Sequence, residues 1–235
     1  MTGAGTLYGI GVGPGDPELM TLKAARLVAA VPVIAYPAAN GQASLARAIA
    51  AAHIRPAAEE IAIDLPMQTD RAPARAAYAA AAGQITRQLA AGRDVAVLCE
   101  GDPFFYGSFM YLFALLAVDY RSEVVPGVTS LSACAAALAR PLVARNEVLK
   151  VLPAPLPAER LEAELRTTEA AAIVKVGRHF DKVCAVLRRL GLAGQSAVIS
   201  AATRNDERVA PLEAIPDGER PYFSTILVYA GQEGW

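Results

Sequence analysis

The chain has 235 residues, of which 54% are hydrophobic and 19% charged, and its formal net charge is −1. That length buries one large core or two smaller ones, and the composition excludes a disordered chain. The near-neutral charge balance offers no broad footprint for nucleic acid or an anionic membrane.

Short apolar runs alternate with longer helical stretches, which predicts α/β layers. Residues 7–12 read as the first strand, and a helix starts at Asp16 or Pro17 and runs to Ala30, with Leu19, Leu22 and Arg26 on one stripe. A second strand over 33–36 is expected to stop at Pro37. A helix at 44–53, a strand at 60–65 and an alanine-rich helix over 73–91 follow, the last ending at Gly92. A buried strand at 94–99 then runs into Glu100-Gly101-Asp102-Pro103, and 109–118 is helical. The stretch 104–118 carries no charge, but it is shorter than the ~20 residues a bilayer span needs.

The polar segment at 119–123 suggests a boundary near residue 120, with domains at 1–120 and 121–235, and Val124 and Val125 open the second unit. Beyond it come a small-residue helix (130–139), a strand (148–152), a proline-rich connection (153–157) and a helix (158–166). A strand (171–176), a helix (180–190) and a strand (197–200) follow, and two closing strands at 208–214 and 223–229 complete the chain.

Cys99, Cys134 and Cys184 are odd in number and far apart, so no disulfide framework or zinc-spaced cluster is expected, and a reducing cytoplasm is. With only His53 and His179, a histidine-rich metal site or a Ser–His–Asp triad has little material, and no metal is expected. Residues 1–7 lack a basic segment followed by an apolar one, so no secretory signal is expected. Arginine dominates the cations. Of 22 basic residues four are lysine, leaving 22 − 4 = 18 arginines, the better bidentate partners for carboxylates.

Gly9-Ile10-Gly11-Val12-Gly13-Pro14-Gly15-Asp16 invites a phosphate-binding reading and fails it. Pro14 or Asp16 stands where a dinucleotide fingerprint needs its third glycine, and no Gly-Lys-Ser/Thr follows. Pro14 also removes a donor, and Asp16 puts negative charge where a phosphate would sit. Glu100-Gly101-Asp102-Pro103 repeats this at the end of another strand. Its two carboxylates suit a cation, ribose hydroxyls or an amino group, and Phe104, Phe105 and Tyr106 can pack on a flat or sulfonium-bearing ligand. Either loop alone also reads as an ordinary Asp-Pro helix start. In a third turn, Val125-Pro126-Gly127-Val128-Thr129-Ser130, either Thr129 or Ser130 can cap the next helix.

In this order and spacing, the segments at 11–24, 100–108 and 125–130 resemble the tetrapyrrole methylases, and the likeness covers nearly the whole chain. The resemblance implies two α/β/α domains with S-adenosylmethionine in a cleft between them, and a homodimer. Within the family, the closest likeness is to the members that methylate C20 of precorrin-2 in corrinoid synthesis. It rests on Val33-Ile34-Ala35-Tyr36-Pro37, Leu65-Pro66-Met67, residues 99–111, Asn146-Glu147-Val148-Leu149, Lys175-Val176-Gly177-Arg178 and Tyr222-Phe223-Ser224-Thr225.

Carried over residue by residue, the resemblance implies cofactor contacts at Pro14, Glu100, Gly101, Asp102, Phe105, Tyr106, Thr129, Ser130, Val176 and Ala202. The acid loop would take the ribose or amino acid portion, and Thr129 and Ser130 the carboxyl or sulfur end. One departure matters: related uroporphyrinogen-III methyltransferases carry an Asp, proposed as proton acceptor, where this chain has Pro37. No catalytic residue is therefore assigned, with Glu100, Tyr106 and water left as proton acceptors. The implied substrate bears many carboxylates, for which Arg140, Arg145, Arg178 and Arg204 are candidates, while Lys23 and Arg26 belong on the exposed face of the first helix. The implied substrate is metal-free precorrin-2, the alternatives being its cobalt form or the substrate of another methylase of the corrinoid pathway. Two other classes are a nucleotide-dependent oxidoreductase, against which the failed fingerprint argues, and a non-catalytic binding module.

Overall fold

The computed structural model describes residues 3–66, 72–216 and 223–231. Met67 and Tyr222, quoted above, lie outside the described residues. The chain divides into two units, Met1–Thr129 and Ser130–Trp235.

The first unit holds strands β1 (Leu7–Gly11), β2 (Val33–Ala39), β3 (Glu59–Leu65), β4 (Val95–Cys99) and β5 (Ser122–Val125), with helices α1 (Leu22–Ala30), α2 (Leu45–Ala50), α3 (Ala72–Ala90) and α4 (Phe109–Leu116). Its sheet has the order β3-β2-β4-β1-β5, and every pairing is parallel. A parallel sheet must be covered on both faces. Ala24 and Val28 of α1 and Ala46 and Ile49 of α2 cover one face through Ile10, Ile34, Ala96 and Leu98. Ile85 and Leu89 of α3 and Phe109 and Leu112 of α4 cover the other through Leu7, Val33, Val95 and Val97. All five residues of β4 are buried, as its unbroken apolar run predicts.

The second unit holds α5 (Ser130–Ala137), β6 (Leu149–Pro153), α6 (Ala158–Leu165), β7 (Ala170–Val174), α7 (Phe180–Arg189), β8 (Ser196–Ser200), β9 (Arg208–Pro211) and β10 (Ser224–Tyr229). Its sheet runs β6-β7-β10-β8-β9. β6 and β7 are parallel, and β10 lies antiparallel to both β7 and β8. Helix α5 packs on one face through Leu131 and Cys134 against Ala172, Ile199 and Leu227. Helices α6 and α7 pack on the other through Leu161, Val183 and Leu187 against Ile173, Val198 and Ile226. Each unit is thus an α/β/α sandwich.

Several expectations are corrected. A boundary near residue 120 would place Ser122–Val125 in the second unit, but β5 pairs with β1 from Leu7↔Ser122 to Ile10↔Val125, so the first unit runs to Thr129. Strand β2 does not stop at Pro37 but continues to Ala39, with Pro37 opposite Ile63 of β3. The pairing to β4 ends at Ala35. Pro37 therefore stands where β2 has one sheet neighbour left, and its missing N–H breaks no second ladder. The first helix is split. Pro17–Leu19 forms a 3₁₀ turn capped by Asp16, and α1 restarts after Thr21, whose hydroxyl accepts from Ala24 N. Leu22 is 91% exposed, so the buried stripe is Ala24 and Val28 and not the one expected through Leu22. The strand expected over 171–176 ends at Val174, and the one over 208–214 gives way to a 3₁₀ turn after Pro211.

Candidate functional site

In parallel α/β sheets, ligands bind beyond the carboxyl ends of the strands, where connections diverge to opposite faces. Here β1 and β4 are sheet neighbours. β1 leads to α1 on one face, and β4 leads to α4 on the other. The acid loop and the first glycine loop thus leave the sheet side by side.

The two loops are joined by backbone. Gly13 and Gly101 form an antiparallel bridge outside the regular strands; Gly101 N donates to Gly13 O at 2.8 Å, and Val12 N to Cys99 O at 2.9 Å. Gly13 has φ +84° and Gly101 φ +65°, a region that L side chains enter at a cost of roughly 1–2 kcal/mol. The turn after β5 closes on both. A Cβ on Gly11 would stand 2.6 Å from Gly101 O and from Gly127 N, and one on Gly127 would overlap Gly101 O. Four glycines, Gly11, Gly13, Gly101 and Gly127, therefore let three strand ends meet main chain to main chain, a contact the sequence signalled only as glycine richness.

Asp102 holds this junction. Its Oδ1 accepts from Phe104 N and Phe105 N, both at 2.9 Å, and its Oδ2 accepts from Gly127 N at 3.1 Å. The first pair is a local turn that Asp favours at such positions. The bond to Gly127 crosses 25 residues and has no signal in the sequence. Pro14 and Thr129 are half-buried at the margins of the same junction, and Glu100 is exposed beside it. Behind it, burial pushes the Cys99 thiol up to about 12, with the Glu100 and Asp102 charges adding to the rise.

The aromatic run splits by function. Phe104 lies against Phe109 at 6.0 Å and Phe113 at 5.2 Å, while Phe105 and Tyr106 meet edge to face at 5.2 Å. Tyr106 has φ +56° and remains 41% exposed. A non-glycine residue held in that region is a mark of sites where the surroundings over-determine the backbone.

The remaining expected contacts lie in the second unit. Ser130 opens α5, and the next residue, Leu131, shares an apolar cluster with Ala202. Val176 is fully buried and Ala202 is 8% exposed. Each follows a left-handed residue, Lys175 at φ +57° and Ala201 at φ +50°, just past the ends of β7 and β8. Pro14, Glu100, Gly101, Asp102, Phe105, Tyr106 and Thr129 thus gather on strand ends of the first unit. Ser130, Val176 and Ala202 sit on α5 and past two strand ends of the second.

The candidate arginines differ among themselves. Arg140 lies over the Tyr229 ring at 3.8 Å. Arg204 pairs with Asp206 at 2.9 Å and lies over Phe223. Arg145 and Arg178 are exposed, as is Arg26, while Lys23 reaches Glu123 as an ion pair. Among the described residues no cluster of His, Cys, Asp and Glu could hold a metal ion.

The model of the tetrapyrrole (corrin/porphyrin) methylases matches residues 6–216. The chain is 39% identical over 241 residues to a precorrin-2 C(20)-methyltransferase of Sinorhizobium sp, covering 99% of this chain and 97% of that one. It is 40% identical over 240 residues to the cobalamin biosynthesis protein CobIJ of Mycobacterium tuberculosis. That match takes in 99% of this chain but 47% of the other, so the chain spans about half that relative's length. A crystal structure of a Thermus thermophilus uroporphyrin-III C-methyl transferase complexed with S-adenyl homocysteine superposes with a TM-score of 0.69 at 26% identity, covering 95% of this chain and 92% of that one.

Proposed function

Since the chain belongs to the tetrapyrrole (corrin/porphyrin) methylases, we propose that it transfers a methyl group from S-adenosyl-L-methionine to C20 of precorrin-2, giving precorrin-3A in cobalamin synthesis. The carrying observation is the junction of Gly11, Gly13, Gly101 and Gly127 under Asp102. The full-length likeness to the Sinorhizobium methyltransferase supports the choice of substrate.

The junction fits the donor on physical grounds. Gly13 and Gly101 present main chain without side-chain bulk. Asp16 and Glu100 disfavour a phosphate, whereas exposed Phe105 and Tyr106 offer faces to a sulfonium or a purine. When bound, S-adenosyl-L-methionine supplies an electrophilic methyl group. Within the first unit, Pro14, Gly101 and Thr129 would hold the donor. Holding nucleophile and methyl in line is worth effective molarities on the order of 10⁵ M or more. Pro37 carries no titratable group, so the proton released from the substrate carbon goes to Glu100, to Tyr106 or to water.

The same reading places the protein in the cytoplasm as a homodimer, with no nucleic-acid partner. All three cysteines are buried, and no described helix is long and apolar enough to cross a membrane. Helix α4 leaves Met110, Tyr111 and Leu115 between 40% and 51% exposed, a face suited to a second copy. Calorimetry tests the donor assignment: S-adenosylhomocysteine is expected to bind, and binding of NAD(P) in its place would overturn the reading.

A further inference from the structure

We propose that Pro37 is a positioning residue for the tetrapyrrole. By offering no N–H to Leu98 it keeps β2 and β4 apart at the carboxyl end of the first sheet, and the edge of the macrocycle enters between them. This role rests on the proposed function and concerns the methyl acceptor alone.

The pairing fixes which way each main-chain group points. Glu59 N donates to Pro32 O at 2.9 Å and Asn40 N to Leu65 O at 3.2 Å. Even-numbered residues of β2 therefore turn their N–H and C=O groups to β3, and odd-numbered ones turn theirs to β4. On β4, Val95 N donates to Thr6 O at 3.0 Å, and Cys99 O accepts from Val12 N at 2.9 Å. Its odd-numbered residues thus face β1, and Leu98 faces β2. With Ile34 opposite Ala96 and Ala35 opposite Val97, the next rung needs an N–H from residue 37 at Leu98 O. Proline has none, and its ring takes the place of the hydrogen.

The two strands do not meet again. β2 follows β3 to Ala39↔Leu65, and Gly41 N donates to Asp64 Oδ1 at 2.9 Å, which ties the turn after β2 to the β3 side. Beyond Cys99 the chain swings toward β1 instead, where Gly101 bridges Gly13. In the sheet order β3-β2-β4-β1-β5, the junction assigned to the donor takes the ends of β4, β1 and β5. An acceptor held in line with the donor methyl needs a place beside that junction, at the same end of the sheet. β5 is the last strand on the other flank, so the parting of β2 from β4 is the place that strand ends enclose. Ala38, Ala39 and Gly41 add little bulk on one side of it, and exposed Glu100 stands on the other.

Two replacements separate the missing donor from the proline ring. Pro37→Ala restores the N–H, whereas lactic acid at position 37 has the alanine side chain with an ester oxygen in place of the N–H. The test measures S-adenosylhomocysteine affinity by calorimetry and steady-state methylation of precorrin-2 on the wild type and both variants. Pro37→Ala is expected to keep the affinity and to raise KM for precorrin-2 by roughly 10- to 100-fold, the scale of a misplacement of about 1 Å. The lactic acid variant is expected to keep the wild-type KM. Hydrogen exchange on Pro37→Ala should show a slow new amide at position 37, as a closed rung to Leu98 requires. Unchanged KM in Pro37→Ala, a loss confined to kcat, or an equal loss in the lactic acid variant would each overturn the proposal. So would weakened S-adenosylhomocysteine binding in Pro37→Ala, or fast exchange at its new amide. A wild type that binds S-adenosylhomocysteine yet methylates no precorrin-2 would instead remove the proposed function.

Discussion

Gly9 lies beneath the ring of Phe109. A Cβ built on Gly9 would overlap that ring, with Cζ at 2.7 Å, and Phe109 is fully buried in the core beside Leu7 and Val97. The first glycine of the loop thus serves packing within β1 rather than a ligand. Gly9→Ala is expected to destabilise the protein by about 1–3 kcal/mol, the usual range for overpacking, with donor affinity retained. Phe109→Leu frees space at the ring, so the double variant should lose less than the sum of the singles. Chemical denaturation of the four proteins checks this, and strict additivity would contradict it.

Gly11 and Gly101 are expected to respond differently although both belong to the junction. Gly11→Ala places a methyl against main chain of two loops, so neither neighbour can move aside cheaply. Gly101→Ala meets nothing closer than 3.8 Å and bears only the left-handed φ, at roughly 1–2 kcal/mol. Gly11→Ala should therefore lower stability more and weaken S-adenosylhomocysteine binding more. Melting temperatures and calorimetry on both variants decide the order.

Much of this arrangement was legible from the sequence, for physical reasons. Buried parallel strands are written as unbroken apolar runs, which is why β4 and β7 read clearly. Glycine and Asp-Pro at strand ends announced the loops at Gly13 and Gly101. What did not read was anything set by neighbours distant in the chain. Pro37 continues a strand because β4 has already left β2 at Ala35, and β5 belongs to the first sheet because it pairs with β1. Both facts depend on sheet order. Likewise, nothing in the sequence announces that Gly127 N donates to Asp102 Oδ2 at 3.1 Å, across 25 residues. The split of the first helix was readable in hindsight, since Thr21 three residues before Ala24 is an ordinary N-cap signal.

Glu60 gives the stability a pH dependence whose sign follows from its partners. Arg47 donates to it from Nε at 3.0 Å and from Nη2 at 2.9 Å. This hydrogen bonding holds the Glu60 carboxyl below its ordinary value, with Tyr36 assisting. A carboxyl depressed in the folded state stabilises fully above its unfolded pKa and loses that contribution as pH falls through the folded one. Wild type should thus exceed Glu60→Gln in melting temperature at neutral pH, and the gap should close on acidification below the carboxylate range. The pair is partly exposed, so the gap should correspond to no more than about 1 kcal/mol. A gap that is unchanged at low pH would refute the assignment.

The cysteines should be inert until the protein opens. Burial pushes Cys99 up to about 12 and Cys134 up to about 11, and Cys184 is buried as well. Only the thiolate reacts. A thiol reagent at pH 8 should label none of the three cysteines in the native protein and all of them in denaturant. Rapid native labelling would contradict the packing described at the end of β4.

The central claim is methyl transfer to a single carbon of a reduced tetrapyrrole. Its most direct test is to incubate the protein with S-adenosyl-L-methionine and precorrin-2 under reducing conditions and to analyse the product by mass spectrometry and NMR. The account predicts one added methyl group, located at C20. No transfer, transfer to a different carbon, or transfer only when cobalt is already in the ring would contradict it.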